Sequence, residues 1–164
     1  MKLLVLSDSH RNVRRMLFAA EREKPDIILH LGDHIGDAYE LRRALPGVTL
    51  HAVAGNCDAP GETERLLTLE GVRVWMTHGH LFGVKGGLDG LISRARGLNA
   101  NLALYGHTHI ASNRRERGLW LMNPGQLSRH DGVRAASYGV VTAEDGSFVC
   151  DILTLPPDGR ETIG

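Results

Sequence analysis

Five short polar stretches of the sequence carry side chains that bind metal ions. Each comes directly after an apolar run: Asp8-Ser9-His10, Gly32-Asp33, Gly55-Asn56, Thr77-His78 and Gly106-His107-Thr108-His109. The last stretch alone proves little, because His-x-His pairs are common on exposed strands. In an extended chain, however, residues i and i+2 project to the same side, so both imidazoles could face one pocket. Five such stretches after five apolar runs predict one shared site.

The predicted ligands form a mixed nitrogen and oxygen set. They are Asp8, His10, Asp33, Asn56, His78, His107 and His109. Such a set suits manganese, iron, cobalt, nickel or zinc, whereas oxygen cages suit magnesium or calcium. Seven side chains are too many for one metal with an open position, but they suit two metals that share a bridging carboxylate. We expect two divalent ions, with manganese first among them.

A two-metal site indicates phosphoryl chemistry. Two ions about 3.5–4 Å apart clamp the attacking and leaving oxygens of an in-line displacement and lower the pKa of a shared water. The predicted reaction is therefore hydrolysis of a phosphoester by a metal-bridging hydroxide. It requires neither a Ser-His-Asp arrangement nor an active-site thiol.

The first third of the chain predicts the elements that must position these residues. Apolar runs predict strands at Lys2–Ser7, Ile27–Leu31 and Val48–Ala54. Between them, Asn12 can cap a helix whose apolar residues recur at helical spacing, and a second, shorter helix precedes Pro46-Gly47. This β-α-β-α-β order implies parallel strands with right-handed crossovers. Ligands gather beyond the carboxyl ends of such strands, where the first polar stretches lie.

The remainder predicts a mixed α/β fold. A hairpin turns at Glu70-Gly71, a Gly-rich loop that includes Gly83 forms a pocket rim, and a third helix stops near Gly97. The other expected elements are a strand at Asn99–Tyr105, an edge strand at Arg114–Arg117, antiparallel strands at Gly118–Met122, Ser137–Thr142 and Phe148–Leu155, and a loose tail at 156–164. No repeat or linker divides residues 1–164, so we expect a single domain.

Composition narrows the class of protein. A chain of 164 residues can bury roughly 70% of its unfolded surface as one domain. The formal net charge of zero argues against a protein that depends on nucleic-acid or membrane electrostatics. Cys57 and Cys150 lack metal-finger spacing, so we expect reduced thiols. With no signal peptide and no membrane span in the sequence, a cytoplasmic location is the default expectation.

In this order, the five stretches resemble the signature of calcineurin-like metallophosphoesterases, in particular the small single-domain phosphodiesterases of bacteria and archaea. The resemblance spans Lys2 to about Gly125 and includes His78–Gly83 and Asn123-Pro124-Gly125. It implies a four-layer αββα sandwich with two mixed sheets inside. It also implies a small phosphoester substrate and permits a homodimer or homotetramer.

The resemblance implies a role for each ligand. Asp8, His10 and His109 would hold the first metal, and Asp33 would bridge. Asn56, His78 and His107 would hold the second. Asp33, Asn56 and His80 are the residues we expect to act in catalysis.

One departure from the family concerns the leaving group. Many relatives place a histidine directly after the motif asparagine, where it helps to protonate the leaving group, but this chain has Cys57. A thiol is a poor acid, so substrates with acidic leaving groups are expected to react best. We hypothesise that His80 or His130 substitutes. A smaller departure is Gln126, where relatives often place serine.

Several nearby residues are interpreted without a catalytic role. Asp58 is expected to cap a loop or to orient a ligand instead of binding metal. His30, His34 and His51 are interpreted as structural, and His30 is expected inside a strand.

Two other functions use the same fold. A retromer subunit uses it mainly to hold protein partners, and such a scaffold can lose ligands without penalty, whereas all seven positions are filled here. Larger DNA-repair nucleases carry an additional DNA-gripping domain, for which this chain has neither the length nor a basic surplus. A phosphodiesterase or phosphatase is therefore predicted, with the diesterase preferred and the scaffold as the alternative.

Overall fold

The computed structural model describes residues 1–128 and 135–156, which form ten strands, three α-helices and one short 3₁₀ helix. In chain order these are β1 Lys2–Leu6, α1 Val13–Glu23, β2 Ile27–His30, α2 Ile35–Ala44, β3 Thr49–Ala52, β4 Glu64–Leu69, β5 Val72–Thr77, the 3₁₀ helix His80–Phe82, α3 Asp89–Gly97, β6 Leu102–Leu104, β7 Ser112–Glu116, β8 Leu119–Asn123, β9 Ser137–Glu144 and β10 Ser147–Thr154.

The strands form two mixed sheets of five strands each. The first has the order β10-β9-β1-β2-β3, and its three N-terminal strands run parallel, which confirms the predicted β-α-β-α-β unit. The second has the order β4-β5-β6-β8-β7, in which β7 is the predicted edge strand. Strand β8 was expected to be antiparallel, and it is so towards β7 but parallel to β6. The reason is that β7 turns back at the sheet edge, which returns β8 in the direction of β6.

Alternate residues of each central strand serve different cores. In β1, Leu3 and Val5 face the other sheet, whereas Leu4 and Leu6 face α1 and α2. The first pair joins residues of β5 and β6 in the core between the sheets. Helix α3 covers the outer face of the second sheet, where Leu91 and the fully buried Trp75 share a third core. The layers are therefore helix, sheet, sheet and helix, as the resemblance implied.

Helix α1 follows its predicted signals. The Asn12 side chain accepts a hydrogen bond from the Arg15 backbone amide at the N-terminus. Met16 and Ala20 are buried against the first sheet. The helix ends at Glu23 with Lys24 in the left-handed conformation, just before Pro25.

Other predictions differ in extent. Strand β6 covers only Leu102–Leu104, and the 3₁₀ helix occupies part of the expected loop. Cys57 is exposed and Cys150 buried, and both are free thiols. Residues 157–164 of the expected tail, like His130, lie outside the described residues. Across residues 1–128 and 135–156, no helix combines the length and apolar character needed to cross a membrane.

Candidate metal centre

All seven predicted ligands lie in turns that follow β1, β2, β3, β5 and β6. Two groups bring their ligand atoms within 4.8 Å of one another: Asp8, His10, Asp33 and His109 in the first, and Asp33, His78 and His107 in the second. The amide oxygen Oδ1 of Asn56 lies 3.0 Å from Nε2 of His78, which places Asn56 beside the second group. Asp33 belongs to both groups, so it lies where a bridging ligand would be needed.

Five of the seven predicted ligands have left-handed backbone conformations. Their φ angles are 53° at Asp8, 43° at His10, 59° at Asp33, 68° at His107 and 60° at His109. The extended-chain argument for the two C-terminal histidines was therefore wrong, because their strand ends at Leu104 and the chain turns tightly. Such conformations cost on the order of 1 kcal/mol or more each in non-glycine residues, and they persist where the surrounding structure imposes them.

Side chains outside the ligand set hold these turns. Asn123, at the end of β8, donates through Nδ2 to the Gly106 carbonyl and to the Thr108 hydroxyl, each at 3.0 Å. The Asp58 carboxylate accepts hydrogen bonds from the backbone amides of Asp33, Ile35 and Gly55 at 2.8–2.9 Å. The prediction that Asp58 caps a loop is thus confirmed.

Two glycines permit the close approach of these turns. A Cβ atom on Gly55 would overlap the Asp33 carboxylate, and one on Gly106 would overlap the Ser7 hydroxyl. Any larger residue would push the turns apart.

A buried network supports the first turn, and sequence reasoning missed it. His30 Nδ1 accepts the Gly32 amide, so Nε2 carries the proton and donates to Ser9 Oγ at 3.1 Å. Ser9 Oγ in turn donates to Asp37 Oδ2 at 2.7 Å, and the Arg11 amide donates to the same oxygen. Burial lowers the pKa of His30 to about 4. His30 is therefore neutral, and it lies inside strand β2, as predicted. The one sequence signal for this network is Asp37, an acidic residue in the first turn of α2.

The two carboxylates of the site are ionised at neutral pH. Burial alone would raise the pKa of Asp8, but the hydrogen bond from His109 and the charge of His78 bring it below its ordinary value. Burial likewise opposes the shift at Asp33, where hydrogen bonds from His78 and from the Cys57 amide lower the pKa. Two negative charges therefore lie in a site with several imidazoles.

The imidazoles present nitrogen atoms to these oxygens. His78 Nδ1 donates to the Leu31 carbonyl at 2.9 Å, which leaves Nε2 facing the oxygens of Asp33 at 3.3 Å and Asn56 at 3.0 Å. Similarly, His109 Nε2 lies 3.0 Å from Asp8 Oδ1. Although burial opposes the shift, the hydrogen bond to Asp33 and the nearby charge of Asp8 raise the pKa of His78. The hydrogen bond to Asp8 likewise raises the pKa of His109, so a proton on each Nε2 holds these contacts. Nitrogen and oxygen atoms that converge in this way fit a borderline divalent cation.

Three titratable groups of the site carry no charge near pH 7, namely His107, His80 and Cys57. Burial, and then the charges of His78 and Lys85, lower the pKa of His107 to about 4. Burial and the charge of His78 lower the pKa of His80, whose ring centroid lies 5.4 Å from that of His78. Burial and the charge of Asp33 raise the pKa of the Cys57 thiol.

His34 and His51, both interpreted as structural from the sequence, lie at different distances from the site. The ring centroid of His34 lies 4.8 Å from that of His10, so His34 borders the site. His51 instead contacts the Arg65 guanidinium at 2.9 Å.

The family model of the calcineurin-like phosphoesterase superfamily domain matches residues 1–146. This chain belongs to the calcineurin-like phosphoesterase superfamily. The match covers all five turns that carry the predicted ligands, and it confirms the family to which the sequence motifs pointed.

Curated relatives of this calcineurin-like phosphoesterase are named for the same activity. It is 36% identical over 148 residues to the probable metallophosphoesterase YsnB of Bacillus subtilis, covering 88% of this chain and 86% of YsnB. It is 28% identical to the phosphodiesterase YfcE of Escherichia coli, covering 95% of this chain and all of YfcE.

Solved structures share the fold. A predicted phosphoesterase from Streptococcus pneumoniae superimposes with a TM-score of 0.78 at 29% identity, covering 93% of this chain and 88% of the other. Vacuolar protein sorting 29 of Cryptosporidium parvum has a TM-score of 0.78 at 16% identity, covering 97% of this chain and 93% of the other. The second likeness shows the fold alone.

Proposed function

We propose that this protein is a dinuclear metal-dependent phosphodiesterase. The observation that carries the proposal is the position of Asp33, whose carboxylate belongs to both potential ligand groups. The name of the relative YfcE, a phosphodiesterase, supports the reaction class. The substrate is a small phosphoester.

The proposed ligands divide between two ions. Asp8, His10 and His109 would hold one, Asn56, His78 and His107 the other, with Asp33 shared. The mixed donor set favours transition metals, and manganese is our first expectation. Bound divalent ions lower the pKa of water and stabilise negative charge on phosphoryl oxygens.

Hydrogen bonds and burial set the orientation and protonation of the proposed ligands before any ion binds. The Leu31 carbonyl holds the proton of His78 on Nδ1, which aims Nε2 into the site. The low pKa of His107 keeps that imidazole neutral, as a metal ligand must be. The low pKa of Asp33 keeps its carboxylate ionised.

Among the described residues outside the ligand set, the site lacks a strong proton donor for the leaving group. The Cys57 thiol, with a raised pKa, and the neutral His80 are both weak proton donors at neutral pH. We therefore propose that the enzyme favours substrates with acidic leaving groups. His80 is the catalytic candidate outside the ligand set because its ring lies beside those of His78 and His107. Replacing His80 by alanine should slow hydrolysis of a diester with an alkoxide leaving group more than that of a p-nitrophenyl diester.

The experiment uses protein stripped by a chelator and titrated with manganese. Bis(p-nitrophenyl) phosphate should be hydrolysed only after metal is added, and faster than the monoester p-nitrophenyl phosphate. A preference for the monoester would redirect the proposal to phosphatases. No hydrolysis with manganese, nickel, iron, cobalt or zinc, in protein shown to be folded, would contradict the enzyme.

A protein-binding scaffold is the alternative. Its support is the fold shared with vacuolar protein sorting 29, together with the exposed Leu81 and Ile110, which directly follow His80 and His109. The filled ligand positions favour the enzyme, because a scaffold has no use for them. Metal-independent folding and catalytic silence together would favour the scaffold.

A further inference from the structure

An open cleft of about 560 Å³ lies beside the metal centre. Three of its lining residues directly follow proposed ligands in the chain: Arg11 follows His10, His34 follows Asp33, and Cys57 follows Asn56. Each of these turns thus places one side chain in the metal centre and the next in the cleft. The two spaces share their walls.

Contacts across those walls show how close the spaces are. The ring centroids of His34 and His10 lie 4.8 Å apart. The Cys57 amide donates to Asp33 Oδ1 at 3.0 Å. At these two points the cleft and the metal centre are therefore only one side chain apart.

The cleft wall at Arg11 is held rigidly. Arg11 has a left-handed backbone with a φ angle of 67°, and its amide donates to the buried Asp37 carboxylate at 2.7 Å. Strain of this kind is kept only where several contacts impose it, and it is typical of ligand-binding positions. The guanidinium of Arg11 thus starts from a fixed point at the cleft.

The polar groups of the cleft favour an uncharged organic group that accepts hydrogen bonds. Backbone amides donate to Oδ2 of Asp37 and to both carboxylate oxygens of Asp58, so the protein itself engages these acidic groups. Arg11 and Glu40 are the exposed charged side chains of the lining. A guanidinium offers five donors in a fixed plane, which suits carbonyl or phosphate oxygens. Small molecules bind in cavities of roughly 300–1,000 Å³, which includes this volume.

We propose that this cleft binds one ester group of the substrate, a polar group of nucleoside size that presents hydrogen-bond acceptors to Arg11. The inference rests on the proposed function and names the substrate class of the same site. A simple alkyl ester would leave most of the cleft to water.

Gly36 allows the cleft to be filled without disturbing its walls. It lies in α2 and lines the cleft, and a Cβ added there meets no atom within 4 Å. Gly47 is a matched control, because its added Cβ is equally free and it lies outside the cleft. The paired variants are Gly36→Phe and Gly47→Phe.

The probes carry a single ester group each, so its location is unambiguous. Thymidine 5′-monophosphate and methyl phosphate are compared as inhibitors of bis(p-nitrophenyl) phosphate hydrolysis by the manganese-loaded protein, and calorimetry gives their dissociation constants independently. The wild type should bind the nucleotide more tightly. Gly36→Phe should reduce that preference roughly tenfold through steric exclusion, and Gly47→Phe should keep it.

Arg11→Gln tests the recognition of acceptors, with Arg14→Gln as its control. Arg14 is exposed on α1, does not line the cleft, and its replacement changes the net charge equally. Loss of one hydrogen bond to a charged group should reduce the nucleotide preference roughly tenfold in Arg11→Gln alone.

Equal binding of both probes by the wild type, or an unchanged preference in both cleft variants, would overturn the inference. An equal loss in Arg11→Gln and Arg14→Gln would do so too, since it would reflect net charge alone. A protein that hydrolyses no phosphoester would refute the proposed function, whereas the calorimetric comparison would still decide the cleft.

Discussion

Turns of similar backbone conformation serve two purposes in this molecule. Three hairpins of the described residues, β4-β5, β7-β8 and β9-β10, turn at Glu70-Gly71, Arg117-Gly118 and Asp145-Gly146, where both residues have positive φ angles. Two-residue loops of this kind match the twist of the strands they join, so local geometry explains them. The turns of the metal centre also contain left-handed residues, but there the residues are potential ligands held by distant side chains. Left-handed residues in the hairpins are thus explained by local geometry, whereas those in the metal centre depend on contacts with distant side chains.

The largest expected effect comes from the residue shared by both ligand groups. Asp33→Asn keeps the shape of the side chain but removes its charge. We expect the rate of manganese-dependent hydrolysis to fall more than ~100-fold. That is the upper end of the loss seen when a residue that only hydrogen-bonds to a metal ligand is replaced. The free energy of unfolding of the metal-stripped protein should also fall, because the lowered pKa of Asp33 means that its ionised carboxylate stabilises the folded state. Steady-state kinetics and urea unfolding measure both; a variant with full activity would contradict the bridging role.

Asn123→Ala tests the claim that distant side chains hold the site turns. It removes both hydrogen bonds to the turn that carries His107 and His109. Manganese affinity should fall about 10–100-fold. The control is Tyr138→Phe, which loses a hydrogen bond of 2.8 Å to Glu23 and should cost stability without changing metal affinity. Equal metal affinity in both variants would show that the turn holds itself.

Acid should destabilise the fold through His30. Its pKa is about 4 in the folded protein and near 6.5 when unfolded, so the unfolded chain binds the additional proton between these values. Stability is therefore lost as pH falls from about 6.5 to about 4, by up to roughly 1.4 kcal/mol per pH unit. Urea unfolding at pH 7 and pH 5 should show a smaller difference in His30→Gln than in wild type. Equal differences would exclude His30 as the cause.

The smallest effect is expected at a hairpin. Gly118 has a φ angle of 83°, and an added Cβ meets nothing within 4 Å. Gly118→Ala should therefore destabilise the protein by about 1 kcal/mol through backbone conformation alone, with no change in hydrolysis. A loss of activity in Gly118→Ala would contradict the claim that the hairpin turns act independently of the metal centre.

Much of the candidate site could be predicted because its potential ligands follow recognisable strands. The apolar runs before Asp8 and Asp33 predict parallel strands, and their carboxyl ends meet at one edge of a sheet. The cap at Asn12 and the hairpin at Glu70-Gly71 are likewise local signals. In these regions, local propensity and the fold agree.

The rest depends on contacts between segments far apart in the chain. The backbone of His107 and His109 could not be read from the sequence, because Asn123 of another strand stabilises their turn. The same holds for Asp37, whose role depends on Ser9 and Arg11 lying across from it. Tertiary hydrogen bonds, not local preference, decide these conformations.

The most direct test of the central claim measures manganese in the protein itself. Equilibrium dialysis should give two manganese ions per chain, and electron paramagnetic resonance at low temperature should show that the two spins are coupled. Asp33→Asn should remove the coupling. One ion per chain, or two ions whose spins remain uncoupled in the wild type, would contradict a dinuclear centre bridged by Asp33.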